Sequence, residues 1–504
     1  MNRCLKTGLA IVGLWMLCAG LARATIKPHP MFSDGAVLQQ GIKLPVWGTA
    51  GDGEQVTVEF QGQKVKTVAK GGQWQVKLKP LKPGGPFTMT LSGMNTVTVT
   101  NLLVGEVWIC SGQSNMEFPL SGASTASNAI ANATDPLLRL LTIPRNPQDE
   151  AQRQHTQPMI WKESSPATAA DFSAVGYFFG RDLRKACQVP VGLIHSSFGA
   201  TPAEPWTPKQ GFEEDPELRL ILQAYEQSLQ KYPQQLADYQ KQEPELLAKY
   251  AAAVEQAKQD HKPAPHKPAP PANPSVSIAE RPACLYNGMI APLVPFGIRG
   301  VIWYQGESNA AKAGQYPKLF GMLIRQWRKN WGEGPFPFLF VQIAPKLGMP
   351  PEIREAQLLT SQQVPNTAMV VITDCGDAYN IHPPRKEPVG DRLALAARAL
   401  AYKEKIEYAG PTYRSCKVDG DHLVLSFTHV GGGLVARDGD LKDFMVAGAD
   451  KKFVPAQAKI QGAKVFVSSP AVPRPVAVRY GWSDVPSGNL YNKEELPASP
   501  FRSE

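Results

Sequence analysis

Ser114 sits in a small polar loop, Ser111-Gly112-Gln113-Ser114-Asn115, fed by the apolar run from Val107 to Cys110. That run reads as the end of a buried strand. A serine displayed there stands at the carboxyl edge of a sheet, where open α/β folds bind their ligands. A serine hydroxyl is a weak nucleophile alone. It needs a base, fixed donors for a developing oxyanion and, in many hydrolases, an acid that orients the base.

His382 meets the requirement for a base. It lies in Asp377-Ala-Tyr-Asn-Ile-His-Pro383, just past a strand-like run ending at Thr373, and so on the same sheet edge as Ser114. An imidazole there can take the hydroxyl proton and return it to a leaving alkoxide. Among the other histidines, His195 follows a strand and reads as structural, and His155 lies in a polar loop. His261 and His266 fall in a Pro-rich spacer, where solvation explains them. Three strand ends offer oxyanion donors: the Ser114 amide, the Gly199 amide in Ser197-Phe-Gly-Ala-Thr201, and the Gln305 side chain in Trp303-Tyr-Gln-Gly-Glu-Ser-Asn309. Such donors must be fixed and aimed at one point. A polar cluster like Gln305-Gly-Glu307 at a strand end is costly to bury without partners, which favours a site.

These residues need a frame that brings distant loops to one edge. From Val104 strand-like runs (189–194, 298–304, 336–343, 367–372) alternate with helix-like ones. Ser173 caps a helix whose face is Ala174, Tyr177, Phe178 and Leu183, and two further helices are expected over 316–331 and 389–402. Repeated βα units predict a doubly wound parallel sheet in an α/β domain spanning 105–410. Residues 25–104 alternate at period two between Gly and Pro clusters, which predicts a small β-sandwich. Residues 411–504 form a second β region, whose strands are candidates to pair with the N-terminal ones. An insertion over about 210–275 combines a helical hairpin, broken near Pro233 and Pro244, with the Pro-rich stretch HKPAPHKPAPPANP. The hairpin's apolar stripe reads as packing.

Residues 1–24 read as a cleaved secretory leader. Arg3 and Lys6 precede the apolar run Leu9 to Cys18, and Ala22-Arg23-Ala24 offers a cleavage site. The mature protein is expected to be periplasmic or secreted, with no membrane insertion. Five cysteines remain after the leader, enough for at most two bridges, and their spacing matches no zinc site. A net charge of +9, with scattered Lys and Arg, fits a basic exported protein rather than a nucleic-acid partner.

Val107-Trp-Ile-Cys-Ser-Gly-Gln-Ser-Asn-Met116, Ser197 to Thr201, Trp303 to Asn309 and Ile381-His-Pro383 occur in this order. Together they resemble the sialate O-acetylesterase family, carbohydrate esterases of SGNH type. Leu285-Tyr-Asn-Gly-Met289 and Val478-Arg-Tyr-Gly-Trp482 are also similar to bacterial members. The resemblance implies a metal-free, cofactor-free esterase acting on an acetylated sugar or polysaccharide. Ser114 would be nucleophile and His382 base, with the Ser114 amide, Gly199 and Gln305 as oxyanion donors. Glu307 and Asn309 would brace the loop, and Glu204 with Trp206 would line the sugar site. Tyr379 stands three before the histidine, where SGNH hydrolases commonly place an acid, and Asn380 stands where members often have Asp. The third catalytic member is open between Asp377, Asp374 and a Ser–His dyad. A carbohydrate-binding protein with a decayed esterase site is the alternative. It predicts near-absent hydrolysis of a simple aryl acetate.

Overall fold

The computed structural model describes residues 25–155 and 157–504. The expected leader lies outside the described residues. The seventeen-residue strand Thr96–Gly112 organises the chain. Its first half pairs antiparallel with Gly84–Ser92 and parallel with Val37–Gln39. Its second half, buried without a break from Leu102, pairs parallel with Val191–Ser197 and Gly300–Tyr304. The boundary expected between residues 104 and 105 therefore falls inside one strand, and both halves belong to one eleven-stranded sheet. The change of pattern that suggested a boundary is real but has another cause. One face of the strand is solvated before Leu102, giving alternation, and both faces are covered after it.

Across the sheet the order is Lys162–Ser164, Asp135–Thr142, Val191–Ser197, Thr96–Gly112, Gly300–Tyr304, Phe338–Val341 and Thr367–Val370. All neighbours are parallel except the first pair. Chain order reverses at Thr96–Gly112, so later strands are added on both sides of it. This reversal opens a crevice at the carboxyl ends of three strands. Alternate residues serve opposite faces. Trp108, Cys110, Ile302 and Leu339 pack with helices Ala174–Cys187 and Glu387–Leu400. Val107, Ile109, Val301, Trp303 and Phe338 pack on the side of Tyr316–Trp331 and Pro351–Gln363. Ser173 caps its helix as expected, accepting from the Gly176 amide at 3.0 Å.

Two expectations are corrected. The insertion is one continuous helix, Pro216–Gln259, with Pro233 and Pro244 inside it, and not a hairpin. Each proline removes one backbone donor, but the two lie about three turns apart, so the losses fall on one face and the helix runs on. Its apolar stripe packs only at the start: Leu218 is buried and Ile221 and Leu222 lean on the core, whereas Leu246, Leu247 and Tyr250 stay half-exposed. The C-terminal strands do not pair with the N-terminal ones among the described residues. They build sheets of their own around Leu423, Leu425, Val446, Val465, Val467 and Val478. This unit docks on the α/β part through Arg502, which meets both Glu355 carboxylate oxygens at 2.8 Å. All five described cysteines are free thiols.

Candidate active site

The strand Thr96–Gly112 ends in a turn that only glycine allows. Gly112 has φ +138°, and a Cβ there would stand 2.2 Å from the Tyr304 carbonyl oxygen. The chain then enters the short helical turn Ser114–Glu117. The Gln113 side-chain oxygen accepts from the Gly306 and Ser308 amides, both at 3.3 Å, which ties this loop to the next strand end.

Ser114 Oγ lies 2.8 Å from His382 Nε2. His382 arrives on a long loop after Thr367–Val370, held by two anchors. The Asn115 side-chain amide donates to the Ile381 carbonyl at 2.9 Å. Asp374 accepts from both terminal nitrogens of Arg392 at 2.7 Å, fastening the loop to the helix behind it. Burial, with the charge of Lys386, holds the His382 pKa below 6.5. The ring is therefore neutral near pH 7 and free to accept a proton.

Neither candidate acid reaches the imidazole. Asp377 Oδ1 accepts from the Tyr379 and Asn380 amides at 2.8 and 3.0 Å, so it closes its own turn. Asp374 is committed to Arg392. Among the described residues no carboxylate hydrogen-bonds His382, and the arrangement is a Ser–His pair. His195 is structural: it is buried, bonds Ser197 Oγ at 2.6 Å, and burial lowers its pKa to about 4.

The expected oxyanion donors are present but two are occupied. Ser114 opens a helical turn, so its N–H has no carbonyl within the helix to bond. The Gly199 N–H belongs to the neighbouring loop, which passes close to Ser114, since a Cβ on Gly199 would sit 3.3 Å from the Ser114 Cβ. That N–H, however, donates to Glu117 Oε2 at 2.9 Å. Arg145 grips the other Glu117 oxygen and lies over the Phe198 ring at 4.2 Å. Gln305 is fully buried and spends its amide on Asn309 Oδ1 at 2.7 Å and the Thr201 carbonyl at 3.3 Å. The Asn309 amide in turn donates to Glu204 Oε2 at 2.9 Å. A carboxylate can only accept, so Glu204 fixes which way both amides point. In this state Gln305, Asn309 and Glu204 form a brace, and Gln305 has no donor to spare.

Glu307 belongs to a second buried cluster that sequence reading did not find. Asn115, fully buried, donates to Glu307 Oε1 at 2.6 Å and accepts from Lys386 Nζ. Lys386 is itself buried beneath the rings of Phe118 and Tyr304. Burial pulls its pKa down to about 7 and pushes that of Glu307 up. Asn115 was visible in the loop motif, but nothing in the pattern marked Lys386 or Glu117: a lysine and a glutamate beside turns read as solvated.

Residues 277–398 match the family model described as carbohydrate esterase, sialic acid-specific acetylesterase. The sialate O-acetylesterase of Mus musculus is 30% identical over 512 residues, covering 90% of each chain. That of Homo sapiens is 30% identical over 510 residues, covering 90% of this chain and 88% of its own. The crystal structure of a carbohydrate acetylesterase from Xanthomonas citri superposes with a TM-score of 0.80 at 36% identity, over 95% of this chain and 99% of that one.

Proposed function

The chain belongs to the sialate O-acetylesterase family of carbohydrate esterases, and from that premise we propose that it removes acetyl groups from sugar hydroxyls through an acetyl-enzyme on Ser114. The fold is of the SGNH type in this reading, and the mature protein is exported after cleavage behind Ala24. The observation that carries the proposal is the 2.8 Å contact between Ser114 Oγ and a neutral His382 Nε2 at the chain reversal of the sheet.

Ser114 Oγ attacks the acetyl carbonyl while His382 Nε2 takes its proton. The tetrahedral oxyanion is met by the Ser114 N–H and by the Gly199 N–H once Glu117 has moved off it. His382 then protonates the departing sugar oxygen. A water molecule, deprotonated by the same nitrogen, releases acetate and restores the serine. Without a carboxylate on the imidazole, its orientation rests on the loop anchors at Asn115 and Asp374. Losing an orienting acid costs rate but does not abolish such chemistry.

The substrate is an O-acetyl sialic acid or an acetylated plant polysaccharide such as xylan or xyloglucan. Acetate release from these three, with wild type and Ser114→Ala, tests the reading. Release from at least one by wild type alone supports it and identifies the sugar. No release from any, together with no hydrolysis of an aryl acetate, overturns it in favour of a binding protein.

A further inference from the structure

A cavity of about 540 Å³ lies between the N-terminal β strands and the α/β part. It is within the size range of small-molecule sites. Trp47 lines one side, on strand Leu44–Thr49, which pairs with Gln73–Leu78, and Tyr286 lines another. Val294 and Pro295 also line it, and they precede strand Gly300–Tyr304. The cavity is thus at the amino end of that strand, whereas Ser114 and its partners follow carboxyl ends.

The polar groups around it are those that recognise hydroxyls. Gln73 and Gln75 on the strand and Gln152 and Gln154 in the loop 151–154 line it. Among the described residues the side-chain amides of Gln73, Gln75 and Gln154 make no hydrogen bond. His29 is 1% exposed and stacked on Trp47 with ring centroids 4.9 Å apart. Burial holds its pKa to about 4, against a weak pull from the Arg153 backbone. The ring is neutral, and its Nδ1 accepts from the Met31 amide at 3.4 Å. The proton is then on Nε2, which turns toward the Arg153 backbone. Arg153 is the lone formal charge in the lining among the described residues.

From the Trp47 wall and the glutamine amides around it, we propose that this cavity binds an uncharged sugar residue of a glycan chain. Sugar C–H faces pack on the aromatic rings. Their hydroxyls take the glutamine amides as donors and acceptors. The site would hold the enzyme on a polysaccharide independently of acetyl cleavage.

The test is affinity electrophoresis of the full Ser114→Ala chain through gels containing deacetylated xylan, xyloglucan or hydroxyethyl cellulose. Gln73→Ala/Gln75→Ala is introduced into that background, and separately into the active chain. Both residues are exposed on a strand whose alternate side chains are buried, so the fold has little to lose. Retardation by at least one glycan is expected, weakened about tenfold or more by the double substitution. Hydrolysis of an aryl acetate should be unchanged. Gln154→Ala, in the loop 151–154, should weaken retardation without touching the strand. Absence of retardation by every glycan overturns the proposal, as does undiminished retardation in both variants. Retardation in a chain that hydrolyses no aryl acetate would sustain this site while refuting the esterase reading.

Discussion

Replacing Asn115 with alanine separates two roles of one buried amide. Asn115 donates to Glu307 at 2.6 Å and to the Ile381 carbonyl at 2.9 Å, and accepts from Lys386. The alanine leaves a buried carboxylate and a buried amine without that partner, and the second Glu307 oxygen already has none among the described residues. A buried orphan costs about 1–3 kcal/mol. A hydrogen bond to a charged group contributes about 1.5–3 kcal/mol, and two of them are lost. Burial already favours the neutral forms of Glu307 and Lys386, which sheds part of that cost. The expected loss is about 3–4 kcal/mol, read from urea denaturation followed by near-ultraviolet circular dichroism. The same change frees the carbonyl adjoining His382. A misplacement of about 1 Å at a reacting group costs on the order of a hundredfold, so kcat for an aryl acetate should fall about 10- to 100-fold. A variant destabilised by under about 1 kcal/mol with kcat within about twofold of wild type would refute the reasoning.

Further outcomes follow from the same geometry. Asp377→Asn should leave kcat within about threefold, against the roughly 10⁴-fold loss seen when a true triad acid is removed. The kcat/KM profile should fall as pH drops through a value below 6.5, because the His382 pKa is depressed and the base must be neutral. Lys386→Met removes a charge that depresses it, so the acid limb should move to higher pH. An unmoved limb would show that Lys386 does not act on the imidazole. Glu117→Gln exchanges a charged acceptor on Gly199 for a neutral one, a difference of about 1 kcal/mol. It should raise kcat/KM about fivefold, and a fall would mean that Gly199 does not serve the oxyanion. Gly112→Ala places a methyl 2.2 Å from a backbone oxygen at φ +138°. It should abolish activity and lower stability in a melting experiment.

Much of this site was legible because strand ends leave strong local signals. Val107–Cys110 and Val301–Trp303 are continuous apolar runs with polar loops behind them, and a parallel sheet must bring such loops to one edge. The helix Tyr316–Trp331 was recovered to the residue, since its apolar periodicity is unbroken and Gly332 follows it. What failed depended on contacts beyond the local pattern. The long strand changes burial midway, so it looked like a boundary. Prolines at 233 and 244 suggested a break, although an exposed helix can lose two donors on one face. Asp377 looked like an orienting acid because an aspartate near a catalytic histidine is common, and only coordinates reveal that it serves its own turn. Lys386 was hidden because lysine burial depends wholly on what surrounds it.

The claim that acetyl passes through Ser114 has a direct test. Wild type turning over an aryl acetate is quenched in acid and mapped by peptide mass spectrometry. The account predicts acetyl on Ser114 in wild type, and neither acetyl-peptide nor turnover in Ser114→Ala. Steady turnover with Ser114 unmodified, or a Ser114→Ala chain that keeps hydrolysing, would contradict it.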